Sequence, residues 1–557
     1  MGLEGTRLPT DPQSESPNEN PDVGPRANQI PLHGDDHPGA TPQQGATGLK
    51  MPTGTEPRSA AFRRIARSLG PWRKLRRAAR EELARLPEPA LHPSLPDSQA
   101  IFHDLEEICA TPHRRAGTSH GHRAEEYVAE RFREIGLCDV TKDPIDITLW
   151  DAHDWRLLIR SRGEEIDFPA FYVVNTGFTG PEGVQGEMVY LGTGTARDFA
   201  KADVQDKIVV AEIPFPALPL GLLNRVLGGG FYTSDPQGGL RLFSRHTLAF
   251  ARPNFPNQYG EEIHPESVYW MAQRRGARGL VLILEGHPGD TNRHYGPYDG
   301  VMKPMPALYV SGYQGDRLRS LARSGAAATV VLEGAAEPGV TSNVWGLLPG
   351  ESSETILVST HHDAPFQGAT EDGTGVAQVL AQAKAWSAVP KHLRRKTLLY
   401  VVTTGHHYKG IGAATFCQRH AGDLMRQAII NINLEHLCAK DVDDRDGRLV
   451  PNGRVAWTPM FVSSATPAIA TAMRSVQRHR PPSTTVLPST LLGEVPPGEA
   501  GHYHIHTGID FIHWIGSPYY LLTDEDTLDK VEQTQLGSSA RLVAEIVATY
   551  LEMPLRG

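Results

Sequence analysis

The stretch Thr355-Ile-Leu-Val-Ser-Thr-His-His-Asp-Ala-Pro-Phe-Gln-Gly-Ala-Thr-Glu-Asp-Gly-Thr-Gly-Val-Ala377 decides how this 557-residue chain is read. It is followed by Val401-Val-Thr-Thr-Gly-His-His-Tyr-Lys-Gly-Ile-Gly412 and by Ile430-Asn-Ile-Asn-Leu-Glu-His436. Each stretch is an apolar run that ends in His, Glu or Asp. Short apolar runs bounded by polar residues read as buried strands. In open α/β sheets ligands bind outside the carboxyl ends of the strands. Three strand ends carrying metal-ligand residue types predict a metal-dependent hydrolase site.

The flanking pattern agrees. Thr355–Thr360, Thr397–Thr404 and Ala428–Leu434 read as strands, with helices over Gly375–Trp386 and Ile411–Leu424 between them. A last strand is predicted within Ile509–Ile515, and a closing helix over Leu536–Leu551. Alternation of this kind predicts an α/β fold with a mostly parallel central sheet covered by helices on both faces.

Upstream, residues 1–58 are rich in Pro, Gly, Asn and Asp without aliphatic periodicity, and read as a disordered tail. Residues 59–97 open with a basic amphipathic segment. Phe62, Ile65, Leu69, Trp72 and Leu75 recur at helical spacing among eight Arg and Lys, and Gly70-Pro71 is expected to break it into two short helices. Such a segment fits weak contact with an anionic membrane or a partner, or docking on its own domain. Helices follow over Ala100–Cys109 and Arg123–Leu137, closed by Gly136. Residues 144–340 read as β-rich, with strands such as Lys207–Glu212, Gly279–Leu284 and Ala328–Leu332, and as a separate inserted module without catalytic residues.

A net charge of −9 gives no reason to expect nucleic acid. Four scattered cysteines without a C-x-x-C fit free thiols of a reducing compartment. No signal-peptide core and no run of 18 apolar residues is visible, so the expected location is cytoplasmic.

The order of motifs resembles the co-catalytic zinc exopeptidases, the family of zinc aminopeptidases, glutamate carboxypeptidase-type enzymes and glutaminyl cyclases. The motifs are H-x-D at 361–363, G-A-x-[DE]-[DN]-x-x-G at 368–375, G-x-x-x-x-G-x-G at 405–412 and N-x-[DE] at 433–435. Pro112-His-Arg-Arg-Ala-Gly-Thr118, Thr341–Gly350 and Asp526–Val531 are similar to the family's opening, the start of its catalytic sheet and its closing signature. The resemblance implies a catalytic domain of residues 98–143 and 341–557, interrupted by a protease-associated-like domain over 144–340. It also implies one or two Zn ions and a small peptide-like or amide substrate.

Carried over by position, His361 matches the first metal His and Asp363 its orienting carboxylate. Glu371 and Asp372 fall at the bridging pair, and Glu435 at a later metal carboxylate. The pair Gly-Glu-Glu, base then ligand, is here Gly405-His406-His407, and the last His ligand is Leu522. The expected ligands are therefore His361, Glu371, Asp372, His407 and Glu435, with His406 as base, since an imidazole serves that role near neutral pH.

His362, His436 and the row Gly498-Glu-Ala-Gly-His-Tyr-His-Ile-His506 offer further donors: Glu499, His502, His504 and His506. Read as a strand, that row places its three His on one face. The substitutions leave two alternatives open: a catalytically inactive binding or regulatory protein on the same fold, or other amide or acyl chemistry.

Overall fold

The computed structural model describes residues 58–556, apart from 216, 218–220, 223–224, 226–229, 242–266 and 490–497. The tail expected over 1–58 therefore lies almost wholly outside the described residues. So do Gly228, Gly229 and most of the excursion expected over 214–259.

The three apolar runs form adjacent strands, Lys396–Thr403, Ser352–His361 and Ala428–Glu435, joined in parallel and continued by parallel Phe511–Ile515. Both faces of these strands are apolar because both are covered. Ile356, Val358, Leu398, Tyr400, Ile430 and Ile432 pack under the helices Ser98–Cys109, Ser119–Ile135, Thr374–Ser387 and Gln533–Glu552. Leu357, Leu399 and Val401 pack on the other side with Phe416 and Tyr503 of the helices Ile411–Arg419 and Ala500–Thr507. Asp97 and Thr118 accept the first free amides of two of the helices, and left-handed Gly136 (φ 88°) closes the second. The α/β class with a large central sheet flanked by helices is thus as predicted, but the sheet is mixed rather than mostly parallel, with antiparallel pairs at Ala327–Leu348 and Thr458–Val462.

Two elements exceed the prediction. Ala327–Leu348 is one strand of 22 residues, and its partner Cys138–Ser161 runs antiparallel to it over 24. One end of Ala327–Leu348 pairs with Val184–Tyr190, in the β-rich segment, and the other with Lys396–Thr403. One continuous sheet therefore spans both regions. Only Ala328–Leu332 is expected as strand here, and the strand continues through Gly334-Ala-Ala-Glu-Pro-Gly339. In the structure these residues sit in a half-exposed two-stranded ribbon, where Pro338 lies opposite Thr148 and no third strand needs its missing amide hydrogen.

The basic segment is also not broken at Gly70-Pro71. It forms a single helix, Arg58–Leu83, with Pro71 inside it. Trp72, Leu75 and Leu83 pack on the main core beside the helix Thr466–His479, and this burial outweighs the cost of the proline. None of the described helices is long and apolar enough to cross a membrane. All four cysteines are free, and only Cys138 is exposed.

Candidate metal centre

Parallel strands in register bring their carboxyl ends to one rim. His361 lies opposite Thr403, so His406 and His407, just beyond that strand, hang over it. Glu435 ends the next strand and His436 follows it. Glu371 and Asp372 come from the loop between the His361 strand and the helix Thr374–Ser387. All of these side chains are buried.

Three imidazoles present the same edge to Glu371. The His361 Nδ1–H donates to the Asp363 carbonyl at 3.1 Å. The His407 Nδ1–H donates to Asp363 Oδ2 at 3.2 Å, and the His436 Nδ1–H donates to the Gly516 carbonyl at 2.9 Å. Each bond leaves Nε2 as the ring nitrogen available to a metal. Those Nε2 atoms lie 3.7 Å (His361) and 3.2 Å (His407) from Glu371 Oε1, and 2.8 Å (His436) from Glu371 Oε2. None of these five atoms makes a hydrogen bond of acceptable direction, although all are buried. Buried polar atoms without partners are costly. Here they aim past one another into shared space, as the donor set of a cation does. His361, Glu371 and His436 form one group whose ligand atoms all lie within 4.8 Å of one another.

A second group of the same kind is His361, His406 and Glu435. The His406 ring stacks on His361 at 4.0 Å. Behind it, His406 Nδ1 lies 3.5 Å from Glu499 Oε1. Glu435 Oε1 accepts the Glu499 backbone N–H at 2.8 Å and faces His513 Nε2 at 3.4 Å. Gly498 (φ 75°) makes this packing possible, because a Cβ there would fall 2.6 Å from Glu435 Oε2.

The remaining residues hold the donors still. Asp372 accepts the Thr360 hydroxyl, the His436 N–H at 2.9 Å and the Gly375 N–H at 3.2 Å. It is thus occupied in shaping the loop, and belongs to neither group of converging donors. Asp526 accepts the N–H groups of Thr370 and Glu371, both at 2.9 Å. The buried Arg114 guanidinium donates to the carbonyls of His362, Gln367, Gly368 and Glu371. Arg114 and Asp526 lie within the family-like motifs, and His513 within a predicted strand, without being among the expected site residues. For each the available signal was an ionisable residue inside an otherwise apolar or family-like stretch.

Electrostatics follow from who faces whom. Burial, helped by the neighbouring His406, pushes His361 down to about 3, so its ring is neutral. Burial also opposes charge on His436, but Glu371 and Asp372 hold it up at about 10. His407 is raised against burial by Asp363 and Glu371. Burial works against the Glu371 carboxylate, yet His436, His407 and His361 keep its pKa well below the usual range. Burial opposes charge on His406 as well, but Glu499 and the charges of Glu435 and Glu371 hold it up at about 9. Burial pushes Glu499 itself up to about 7.

Four expected donors lie elsewhere. The row 498–506 is not a strand: Ala500–Thr507 is a helix. Alternate residues there are about 200° apart and cannot share a face. His504 Nδ1–H donates to the Ile509 carbonyl at 2.9 Å, and His506 is exposed. His502 stacks loosely on His506 at 6.4 Å and joins neither group of converging donors. Glu499, just before the helix, is the one residue of that row inside the site. His362 turns away, its Nε2–H donating to the Ser342 carbonyl at 3.0 Å.

The β-rich segment is not remote from the site. Tyr295 and Tyr298 set their rings edge-on against His407, at 5.4 Å and 4.8 Å. The Tyr295 N–H donates to the Leu522 carbonyl at 2.9 Å, and Leu522 packs with Tyr298 and Leu521 in a small buried apolar cluster.

Residues 343–547 match the model of a protein family described as Peptidase family M28. No curated protein matches the chain by sequence. The fold is similar to that of an M28 peptidase precursor from Shewanella amazonensis (TM-score 0.60, 17% identity, covering 88% of this chain and 98% of that one). It is also similar to BSAP, a zinc aminopeptidase from Bacillus subtilis (0.57, 15%, 82% and 95%). A third likeness is to an aminopeptidase from Aneurinibacillus sp. strain AM-1 (0.53, 18%, 81% and 93%). The resemblance to the co-catalytic zinc exopeptidases drawn from the motifs therefore stands, and the α/β architecture is theirs.

Proposed function

We propose that this chain is a zinc-dependent hydrolase of small peptide-like or other amide substrates, working through a site in which His replaces two carboxylates. The carrying observation is the convergence of buried, unpartnered Nε2 and carboxylate oxygens on the rim above the His361 strand. The M28 match and the aminopeptidase-like fold support the reaction class. The residues fit the ion: imidazole and carboxylate are zinc's ordinary ligands, and three protein ligands leave a position open. His361 with Glu371 and His436, or His361 with His406 and Glu435, would hold it. When bound, zinc supplies Lewis-acid polarisation of the carbonyl and an acidic water.

The chain's own groups do the rest. Asp363 fixes the His407 ring through Nδ1. His406 and Glu499 hold a proton between them, and this pair replaces the missing carboxylate in moving it between water and the leaving amine. The inserted segment, read as protease-associated-like, walls the site with Tyr295 and Tyr298.

The test is hydrolysis of a panel of aminoacyl anilides and small amides by metal-stripped protein before and after addition of zinc. Zinc-dependent turnover that disappears in His361→Ala is expected. Stoichiometric zinc binding with no turnover on any of them would favour the second reading, a binding protein, which the absence of carboxylates at 406 and 407 also fits.

A further inference from the structure

Both groups of converging donors use His361, and His361 has one nitrogen to give, because its Nδ1–H is committed to the Asp363 carbonyl. Two ions cannot both be held by that nitrogen. The groups are also unequal. In the His406 group, Glu435 Oε1 already accepts the Glu499 amide and faces His513, while His406 Nδ1 lies 3.5 Å from Glu499 Oε1 without a hydrogen bond.

In the other group, His436 is held for the purpose. It sits in the left-handed region at φ 56°, which a non-glycine residue rarely adopts. It is pinned there by its N–H to Asp372 and its Nδ1–H to Gly516, and its Nε2 points at Glu371. Local strain of this sort persists where surrounding contacts over-determine it. Glu371 is fixed in turn by Asp526 through its backbone and by His407 at its outer oxygen. Beyond His407 the space is closed by the Tyr298–Leu522 cluster, which offers no donor from the Leu522 side chain.

We infer that the site takes a single zinc ion per chain, held by His361, Glu371 and His436. His407 acts as a positioning residue on Glu371, and the His406–Glu499 pair stays outside the coordination sphere. Two imidazoles and one carboxylate with a fourth position open is a known form of catalytic zinc site. The inference rests on the function proposed above but is separable from it.

The experiment is zinc titration of the metal-stripped, tag-free full chain, with bound metal counted by elemental analysis and affinity read by calorimetry. One equivalent is expected. His436→Ala should lose the bound zinc, as should His361→Ala. His406→Ala should keep one equivalent, with an affinity within about tenfold, the scale of a change outside the ligand shell. His407→Ala should also keep it, weakened by about 10–100-fold. Two equivalents in the unaltered chain would overturn the single-ion assignment while leaving a zinc hydrolase standing. Zinc lost in His406→Ala but kept in His436→Ala would move the ion to the other group. No zinc bound at all would overturn both this inference and the proposed function. The stoichiometry of the unaltered chain decides the first point even if a variant fails to fold.

Discussion

This protein buries histidines in two places, and the two sets differ: both rings of one are pushed down by burial, as is His361 of the other, while His436, His407 and His406 are held up. In the β-rich segment, His287 Nε2 and His294 Nδ1 share a hydrogen bond at 3.2 Å, and both rings pack against Phe215. Tyr309 closes the far side of His294. No carboxylate faces either ring among the described contacts. Burial alone pushes His294 down to about 4, and burial with the His294 partner pushes His287 well below its usual value. At the sheet rim burial is as complete, but Glu371, Asp363 and Glu499 face the rings and hold His436, His407 and His406 up. What separates a structural histidine pair from a metal centre here is carboxylate company and convergence of unpartnered atoms, not burial.

The largest effect expected from disturbing this contrast is at His361. His361→Ala should abolish both zinc binding and zinc-dependent turnover. Ring loss in the other cluster, His294→Leu, should leave zinc content unchanged when metal is counted.

Next is Glu371→Leu, which strands His436 and His407 without their shared counter-charge. Breaking a buried pair from one side costs about 3–5 kcal/mol. A corresponding fall in thermal stability of the metal-free protein is expected, and an unchanged melting temperature would contradict the pairing.

His294 and His436 should then contribute opposite pH slopes in the metal-free protein. His294 has a folded pKa below the unfolded 6.5, so the unfolded chain binds more protons between the two values. Its contribution is full above about 6.5 and is lost as pH falls to about 4, on the order of 3 kcal/mol. His436 has a folded pKa raised to about 10, so its contribution is full below about 6.5 and is lost as pH rises through 10. Melting temperature measured from pH 4 to pH 10 checks both signs.

The smallest effect is expected from His287→Phe with His294→Leu. Replacing both partners of a buried hydrogen bond with apolar groups is nearly neutral at pH 7. It should, however, flatten the acid limb of the pH profile.

Much of this was legible in the sequence because parallel strands convert sequence position directly into spatial position. Three apolar runs ending in His361, His406-His407 and Glu435-His436 had to meet at one rim, and they do. What periodicity could not supply was rotation about that rim. His436 was placed among accessory donors, yet its left-handed backbone turns it onto Glu371, while Glu435 is turned towards His513 and Glu499. The row His502-Tyr-His-Ile-His506 shows the same limit. Its alternation reads as a strand, but Ala500–Thr507 is a helix that buries Tyr503, and only Glu499 reaches the site. The long ribbon was missed because Pro338 and Gly339 carry turn chemistry in a place where only one neighbour has to be satisfied.

That ribbon has a consequence for how the molecule assembles. Cys138 pairs with Leu347, roughly 200 residues away in the chain, and the ladder runs on from there to Arg160 opposite Ala327. Closing so large a loop directly is entropically costly, whereas pairings inside the β-rich segment such as Val281 with Leu308 span far fewer residues. That segment also holds Arg160 beside Ala327, at the far end of the ribbon from Cys138. The ribbon's last registers deliver Val344–Leu348 to the strand Lys396–Thr403, whose far end carries His406 and His407. The β-rich segment thus joins the two strands of the ribbon, and the ribbon's register fixes where the strand that leads to His406 and His407 meets the rest of the sheet.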